Sequence, residues 1–428
     1  MTPNPDFQYR TVELRKGVRV HAVTTGRFKT AALSVHFAVP MKSETAPAYM
    51  LLGDVLTRGT EKHPTMQELN RVTDDLYSLG INAYSRTFGE LQMVRFGLTC
   101  VEDDFTFEKM PLLKESVGLL KEIMFSPCLE NGVFRADYLE QEKKNLCDGI
   151  LARINDKDRY AHIRCVASMC ADEPYSVTAR MTPEDVRNVT GPFAFSAYRD
   201  LLGNAPVEIV YVGRKSAEEV ADLLRDIPLP ERDPLRMPAP GNIRPDSVRT
   251  VRETAQIQQC KLVIGFRTVG VDTRRKRMAM ALFHEMFSAS PVSRLFMNVR
   301  EKKHLCYYCS GDPDPLKGVY FVASATRNEH ADDVRAAVLS ELEALRNGNF
   351  ESEELSMAKK SLTHAILETA DSPLSVAASR LTSVLRGTVP DLEERVRFVE
   401  SLGAEDVSAA AASLAEDTVF VLEGGASE

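Results

Sequence analysis

No apolar run in the 428-residue chain approaches the roughly 18 residues that a membrane helix needs, so no membrane partner is expected. The opening stretch MTPNPDFQYRTVELRKG lacks an apolar h-region, and no signal peptide is expected either. Basic runs and aromatic-plus-basic stripes are also missing. With a formal net charge of −8 and both signs well mixed, nucleic acid is not an expected partner, and the acidity serves mainly solubility. Among the eight histidines no two stand three or four residues apart, so no helical turn carries the imidazole pair that holds zinc. The eight cysteines are scattered through apolar segments of a long chain. That favours free thiols in a reducing cytoplasm over a disulfide framework.

What the chain does have is enough apolar content, 44% against 27% charged residues, to build sizeable soluble cores. Its length fits two domains or four smaller units. Six prolines fall between Ile227 and Ser247 (IPLPERDPLRMPAPGNIRPDS). Proline fixes φ and removes a donor, so this stretch joins neither a helix nor a central strand and reads as an extended linker. The flanking halves match each other. Phe134–Leu146 (FRADYLEQEKKNL) and Phe350–Leu362 (FESEELSMAKKSL) share Phe, Leu, Lys, Lys and Leu at a constant offset of 216. Each follows a helix-like segment, KESVGLLKEIMFSP or RAAVLSELEALRNG. Each half opens with a strand (ALSVHFAVP, KLVIGFRTV) leading into an apolar helix (AYMLLGDVLTRG, AMALFHEMFSAS), and each closes with a strand (VEIVYVG, TVFVLEG). Alternating polar and apolar residues predict paired strands at INAYSRTF and LQMVRFGLTC, and again at CYYCSG and GVYFVASAT. The expected fold is α+β, with two tandem homologous lobes, each an antiparallel sheet covered by helices. The lobes span residues 1–226 and 248–428, joined by a linker at 227–247.

Ser293–Tyr307, SRLFMNVREKKHLCY, resembles the second-lobe signature S-R-L-F-x-x-x-R-E-K-x-G-L-A-Y of the pitrilysin/insulinase family of inverted zinc peptidases. His304 replaces the usual glycine and Cys306 the usual alanine. LTRGTEKHPT (Leu56–Thr65) is similar to the segment that follows the family's zinc motif, and LGINAYS (Leu79–Ser85) to its G-x-x-N-A strand. The resemblance runs from about Val12 to Gly424 and lies nearest the short, processing-peptidase-like branch. It places the H-x-x-E-H motif on Met50-Leu51-Leu52-Gly53-Asp54, so that Met50 and Asp54 replace the two histidines and Gly53 the general-base glutamate. The third ligand falls on Gly149. Glu142, which supports the metal ligands from behind in the family, is present. The chemistry requires two imidazoles one turn apart and a carboxylate beside the metal-bound water. None of these is available, so no cofactor is expected in this chain, and zinc is expected in a partner.

Two further clusters bear on metal or redox chemistry. His284-Glu285 lies on the second-lobe helix corresponding to the lost motif, but it has no second histidine and reads as a lone helix residue. His304-Leu305-Cys306-Tyr307-Tyr308-Cys309 contains C-x-x-C. A four-ligand site would need a second cluster, and a strand here would point positions 306 and 309 to opposite faces, so packing is the expectation. Cys165 and Cys170 read likewise as core.

Arg300 and Tyr307 match the arginine and tyrosine that, in the family, hold the substrate carbonyl from the second lobe. The resemblance therefore implies a substrate-binding and oxyanion role for them. The strand at Asn82 and Ala83 resembles the family's substrate-pairing edge. Together these imply a chain that is inactive alone. It would be one subunit of a heterodimeric zinc peptidase, closing the chamber for a peptide or unfolded protein whose cleavage a zinc-bearing paralogue performs. The alternative is a peptide-binding or scaffolding homodimer with no proteolytic partner.

Overall fold

The computed structural model describes residues 7–239, 241–388 and 392–425. Pro240 of the proline-rich segment lies outside the described residues. The strands, in chain order, are β1 (Gln8–Arg15), β2 (Val18–Thr24), β3 (Thr30–Pro40), β4 (Gly80–Phe88), β5 (Leu91–Val101), β6 (Leu129–Glu130), β7 (Val133–Phe134), β8 (Val207–Gly213), β9 (Arg249–Ala255), β10 (Cys260–Thr268), β11 (Tyr308–Asp314), β12 (Val319–Thr326) and β13 (Leu414–Gly424). β6 and β7 form a small hairpin. The first large sheet has the order β1-β2-β8-β3-β5-β4, and the second β11-β12-β10-β13-β9. In each, one pair is parallel (β2 with β8, β9 with β13) and the following neighbours are antiparallel. The second sheet thus repeats the plan of the first without its outer strand β1. This is the α+β, two-lobed architecture expected from the sequence.

The helices used below are α1 (Ala46–Leu56), α2 (Leu112–Phe125), α3 (Ala136–Leu151), α4 (Lys157–Met169), α5 (Ser352–Glu368) and α6 (Pro373–Leu385). Contacts divide the chain into two compact units. One comprises Met1–Leu151, Met181–Met237 and Glu368–Asp391, the other Ala152–Arg180, Pro238–Leu367 and Leu392–Glu428. These units differ from the contiguous lobes 1–226 and 248–428, because each takes one helix from the opposite half of the sequence. α4 packs on β10, β13 and β9 of the second sheet, and α6 packs on β3, β8 and β2 of the first. The two exchanged helices occupy matching places in the repeat. Lys157 and Pro373 open them, and Met169 and Leu385 close them, at the same 216-residue offset.

The seats of these two helices differ in chemistry. α4 brings Ala161, Cys165, Val166 and Met169 onto Val263, Phe321, Phe420 and Leu422, an apolar core in which Cys165 and Cys170 are buried as expected. Gly265 makes room for it. A Cβ at Gly265 would lie 2.6 Å from Met169 Sδ and 3.3 Å from the Phe321 ring.

In the first unit the face that receives α6 carries a polar row across five strands, formed by Arg19, Glu208, His36, Arg95 and Tyr84. Glu208 is fully buried and ion-paired with Arg19, and it lies 2.7 Å from His21 Nε2. His21 Nδ1 meets Thr11 at 2.9 Å, and Thr11 accepts from Arg380 of α6 at 2.9 Å. Burial drives the His21 pKa down, partly offset by Glu208, and burial with Arg95 nearby drives His36 down to about 3. Both imidazoles are therefore held toward the neutral form.

The proline-rich segment carries neither helix nor strand among its described residues, and its first part is anchored to the first unit. Arg15 donates to the carbonyls of Ile227 at 2.8 Å and Leu229 at 2.6 Å, and Arg232 donates to those of Ala205 at 2.6 Å and Leu202 at 2.7 Å.

The seat of α4 leads to a direct expectation. Gly265→Ala should lower stability by about 1–3 kcal/mol, the usual cost of overfilling a packed core, measured as a drop in the urea midpoint at unchanged slope.

Candidate functional site

α1 is an apolar helix with a proline in its first turn, and its buried residues include Tyr49, Leu51, Leu52, Gly53 and Val55. It lies on β4 and β5, on the sheet face of Val35, Phe37, Phe96 and Ala83. The five motif positions fall on this helix as expected. Met50 is half-buried and Asp54, one turn on, is exposed. Gly53 faces the edge strand. A Cβ built there would stand 2.8 Å from the Ala83 carbonyl carbon and 2.9 Å from both Ala83 O and Tyr84 N. The helix rests on strand backbone at the place where the general base would project, and no side chain fits.

Gly149, at the third-ligand position, is the opposite case. It is exposed near the end of α3, and a Cβ would meet nothing within 4 Å. Glu142, two turns earlier on α3, is buried and ion-paired with Arg58, and it accepts from Asn145 Nδ2 at 2.9 Å. Desolvation raises the Asp54 pKa, with Glu142 adding to the rise and Arg58 opposing it.

Zinc does not fit this donor set. A thioether, one carboxylate already beside an ion pair, and two glycines cannot supply the three nitrogen and oxygen ligands that an open catalytic site requires. No group of three or more His, Cys, Asp or Glu suited to a metal occurs among the described residues.

Asn82 and Ala83 lie on β4, an edge strand hydrogen-bonded on one side to β5. The Asn82 side chain accepts from Arg95, whose guanidinium also lies 5.4 Å from the centre of the Tyr84 ring. In the second unit, Arg300 sits near the end of a π-helical segment, Leu295–Lys302. Its guanidinium lies 4.6 Å from the centre of the Phe296 ring and 3.4 Å from Glu301 Oε1, and its side chain is 41% exposed. Tyr307 is 55% exposed, and its backbone N–H donates to Ala325 O at 2.8 Å.

Between Arg300 and Tyr307 the chain turns at His304, which adopts φ +53. That is the left-handed conformation glycine takes at no steric cost, and it accounts for the glycine of the signature at this position. His284 is held by Tyr320 OH at 2.8 Å and lies 3.2 Å from Ser288 Oγ, so the lone helix histidine is a hydrogen-bonded structural one.

The C-x-x-C segment departs from the sequence reading. β11 begins at Tyr308, so Cys306 precedes the strand and escapes its alternation. The alternation argument therefore does not extend to Cys306, which is half-buried, whereas Cys309 on the strand is buried. The signal that could have shown this is His304 itself, since a non-glycine in a glycine position marks a turn.

A family model described as peptidase M16 inactive domain matches residues 195–362. A curated relative, "Probable inactive metalloprotease YmfF" of Bacillus subtilis (strain 168), is 28% identical over 412 residues, covering 95% of this chain and 96% of its own. The chain is thus similar to non-catalytic members of the peptidase M16 family. Solved structures share its fold. A conserved protein from Enterococcus faecalis V583 superposes with a TM-score of 0.89 at 24% identity, covering 98% of this chain and 99% of the other. A protease from Helicobacter pylori does so with a TM-score of 0.80 at 16% identity, covering 97% and 99%. Within the M16 fold the loss at position 53 is therefore built into the packing.

Two measurements follow. Gly53→Ala should cost about 2 kcal/mol or more by forcing strand backbone aside. Gly149→Ala should instead be neutral or stabilise by up to about 1 kcal/mol, both read by urea denaturation. For Asp54 the raised folded-state pKa means that folding disfavours the charged form. The penalty is full above the folded value and vanishes as pH falls below the ordinary aspartate range. Asp54→Asn should accordingly raise the urea midpoint at pH 7 and give no gain near pH 3.

Proposed function

We propose that the chain is the non-catalytic subunit of a cytoplasmic heterodimeric zinc peptidase. A zinc-bearing paralogue supplies metal, base and third ligand, and this chain closes the chamber around a peptide or unfolded protein. The observation that carries the reading is a contrast. The helix that would hold zinc is seated on strand backbone at Gly53, while Arg300 and Tyr307 remain open to solvent in the other unit. A guanidinium and a phenol are strong donors, and donors fixed in advance around a developing oxyanion lower the barrier to peptide cleavage. Stacking on Phe296 restrains the Arg300 side chain, which limits the ordering cost on binding. The free edge of β4 adds a surface on which an extended peptide can pair by backbone hydrogen bonds. No helix among the described residues is long and apolar enough to cross a membrane, which agrees with an assembly working in aqueous surroundings.

The test is reconstitution with an H-x-x-E-H paralogue from the same genome. The chain alone should be inactive and the mixture active. Arg300→Ala should lower turnover of the assembled pair about 100-fold while leaving the assembly constant nearly unchanged. Unaltered turnover would remove the role given to Arg300. A stable homodimer that neither binds nor activates the paralogue would favour the scaffolding alternative.

A further inference from the structure

The β4–β5 pair carries two guanidinium groups that no carboxylate answers. Tyr84 of β4 lies directly across from Arg95 of β5, and Arg86 stands two residues along β4, on the same face of the sheet. Arg95 donates to Asn82 and lies over the Tyr84 ring, and Arg86 lies 5.3 Å from the centre of the Phe88 ring; neither is ion-paired among the described residues. Glu208, the one carboxylate of the polar row on this face, is already held by Arg19 and His21. The Arg95 head also has a prepared seat. It rests over Gly97, the cross-strand partner of Asn82, where a Cβ would stand 2.6 Å from one guanidinium nitrogen and 2.7 Å from the central carbon. The missing side chain at Gly97 thus lets the head of Arg95 lean onto the edge strand. His36, across from Arg95 on β3 and 5% exposed, has an Nδ1 with no hydrogen-bond partner among the described residues. Buried polar groups are nearly always paired, so this corner of the sheet is both positive and short of partners.

We propose that this face selects acidic peptides: an extended peptide paired on the outer edge of β4 presents alternate Asp or Glu side chains to Arg86 and Arg95. This rests on the β4 edge receiving the peptide, as proposed above, and adds the class of peptide to it. Strand addition puts every second side chain of the added strand on one face of the sheet. Side chains directly opposed on neighbouring strands stand about 5 Å apart and diagonal ones about 7–8 Å, within the reach of an arginine. Arg86 meets one carboxylate from the adjacent strand. Arg95 starts one strand further in, but its head leans over β4 and meets the carboxylate two residues along. Each guanidinium can form two parallel hydrogen bonds with a carboxylate. The intervening side chains of the peptide turn to the opposite face, where α1 packs on β4.

The electrostatics agree with an anionic ligand. Burial holds the Arg95 pKa below its ordinary value, with Tyr84 opposing the shift and Arg86 adding to it. A bound carboxylate relieves the repulsion between the two like charges. Elsewhere the chain disfavours such a ligand, because its formal net charge is −8. Any preference for acidic over neutral peptides must therefore arise locally. Main-chain hydrogen bonds along the edge hold peptides of any sequence, and the side chains beside the edge decide among them.

The experiment uses the full chain without a peptidase partner and measures the binding of fluorescent synthetic peptides by anisotropy. The probe is a peptide in which Glu alternates with Thr. One comparison peptide has Gln in place of every Glu, and another has the same composition with the Glu residues grouped at one end. The alternating Glu peptide should bind about tenfold more tightly than its Gln counterpart, and more tightly than the grouped one. Arg86→Gln and Arg95→Gln should each weaken it about tenfold and leave the affinity for the Gln peptide unchanged. Arg10→Gln, on the opposite edge strand β1 and ion-paired with Glu218, should change nothing. Arg86 is exposed, so its variant keeps the test decisive even where Arg95→Gln fails to fold. Equal affinity for the Glu and Gln peptides, equal affinity for the alternating and grouped ones, or unaltered binding by Arg86→Gln would each overturn the acidic preference and leave the edge reading standing. Absence of binding by every peptide would overturn both. An inactive mixture with the zinc-bearing paralogue would count against the heterodimer and leave these affinities as they are.

Discussion

Helix α1 meets the backbone of the first sheet at a position that carries no side chain. Gly53 lets α1 settle onto the backbone of β4, and the register of that contact fixes what stands around it. Met50 and Asp54 occupy positions one helical turn apart. Arg58, just beyond the helix, is placed to neutralise Glu142, and Glu142 in turn presses on the charge of Asp54. A zinc peptidase needs a carboxylate and water between this helix and the substrate. Here that space belongs to the strand. The absence of a side chain at position 53 is thus a property of packing.

The two units solve one problem with opposite chemistry. Each sheet needs a cover on its second face, and each receives a helix from the far half of the sequence. α4 is held by interlocked apolar groups, with Gly265 giving way to Met169. α6 instead touches a relay of polar groups, in which Arg380, Thr11, His21 and Glu208 are linked in sequence. Buried polar chains of this kind tolerate little misplacement, because each lost partner leaves a desolvated group behind. The seat of α6 is therefore specified by geometry and that of α4 by volume.

Much of this was readable beforehand. Alternation gave the strands at Ile81–Phe88, Leu91–Cys100 and Val319–Thr326, and the match between halves gave the strand at Ala32–Pro40 and helices α1, α2 and α3. The signature at Ser293–Tyr307 led to the family, and the motif register led to Gly53. The exchange of α4 and α6 was hidden, since periodicity says which face of a helix is buried but not which sheet buries it. The end of α3 at Leu151, which leaves Ile154 exposed, was not marked in the sequence either. The start of β11 was hidden for a different reason. The strand was expected to begin at Cys306, two residues early, and a shift at a strand boundary decides which side chains can meet.

The exchange of helices also shapes how the chain comes off the ribosome. The last strand of the first sheet, β8, is complete at Gly213, but the helix that covers its second face ends only at Leu385, about 170 residues later. At elongation rates of about 5–20 residues per second, that face waits roughly 10–30 seconds for its cover. At the start of this interval α4, already made, has no strand to sit on, and its seat is completed only by β13 at Leu414–Gly424. A nascent chain in this state shows half-covered sheet and an unpaired helix at once, both good targets for a chaperone. The early sheet face that stays open this long is the one lined by Arg19, Glu208, His36 and Arg95. Charged groups keep such a surface hydrated and resist the edge-to-edge and face-to-face sticking that an apolar sheet would invite. The apolar seat, by contrast, belongs to the second sheet, whose covering helix has been waiting since before its first strand was synthesised.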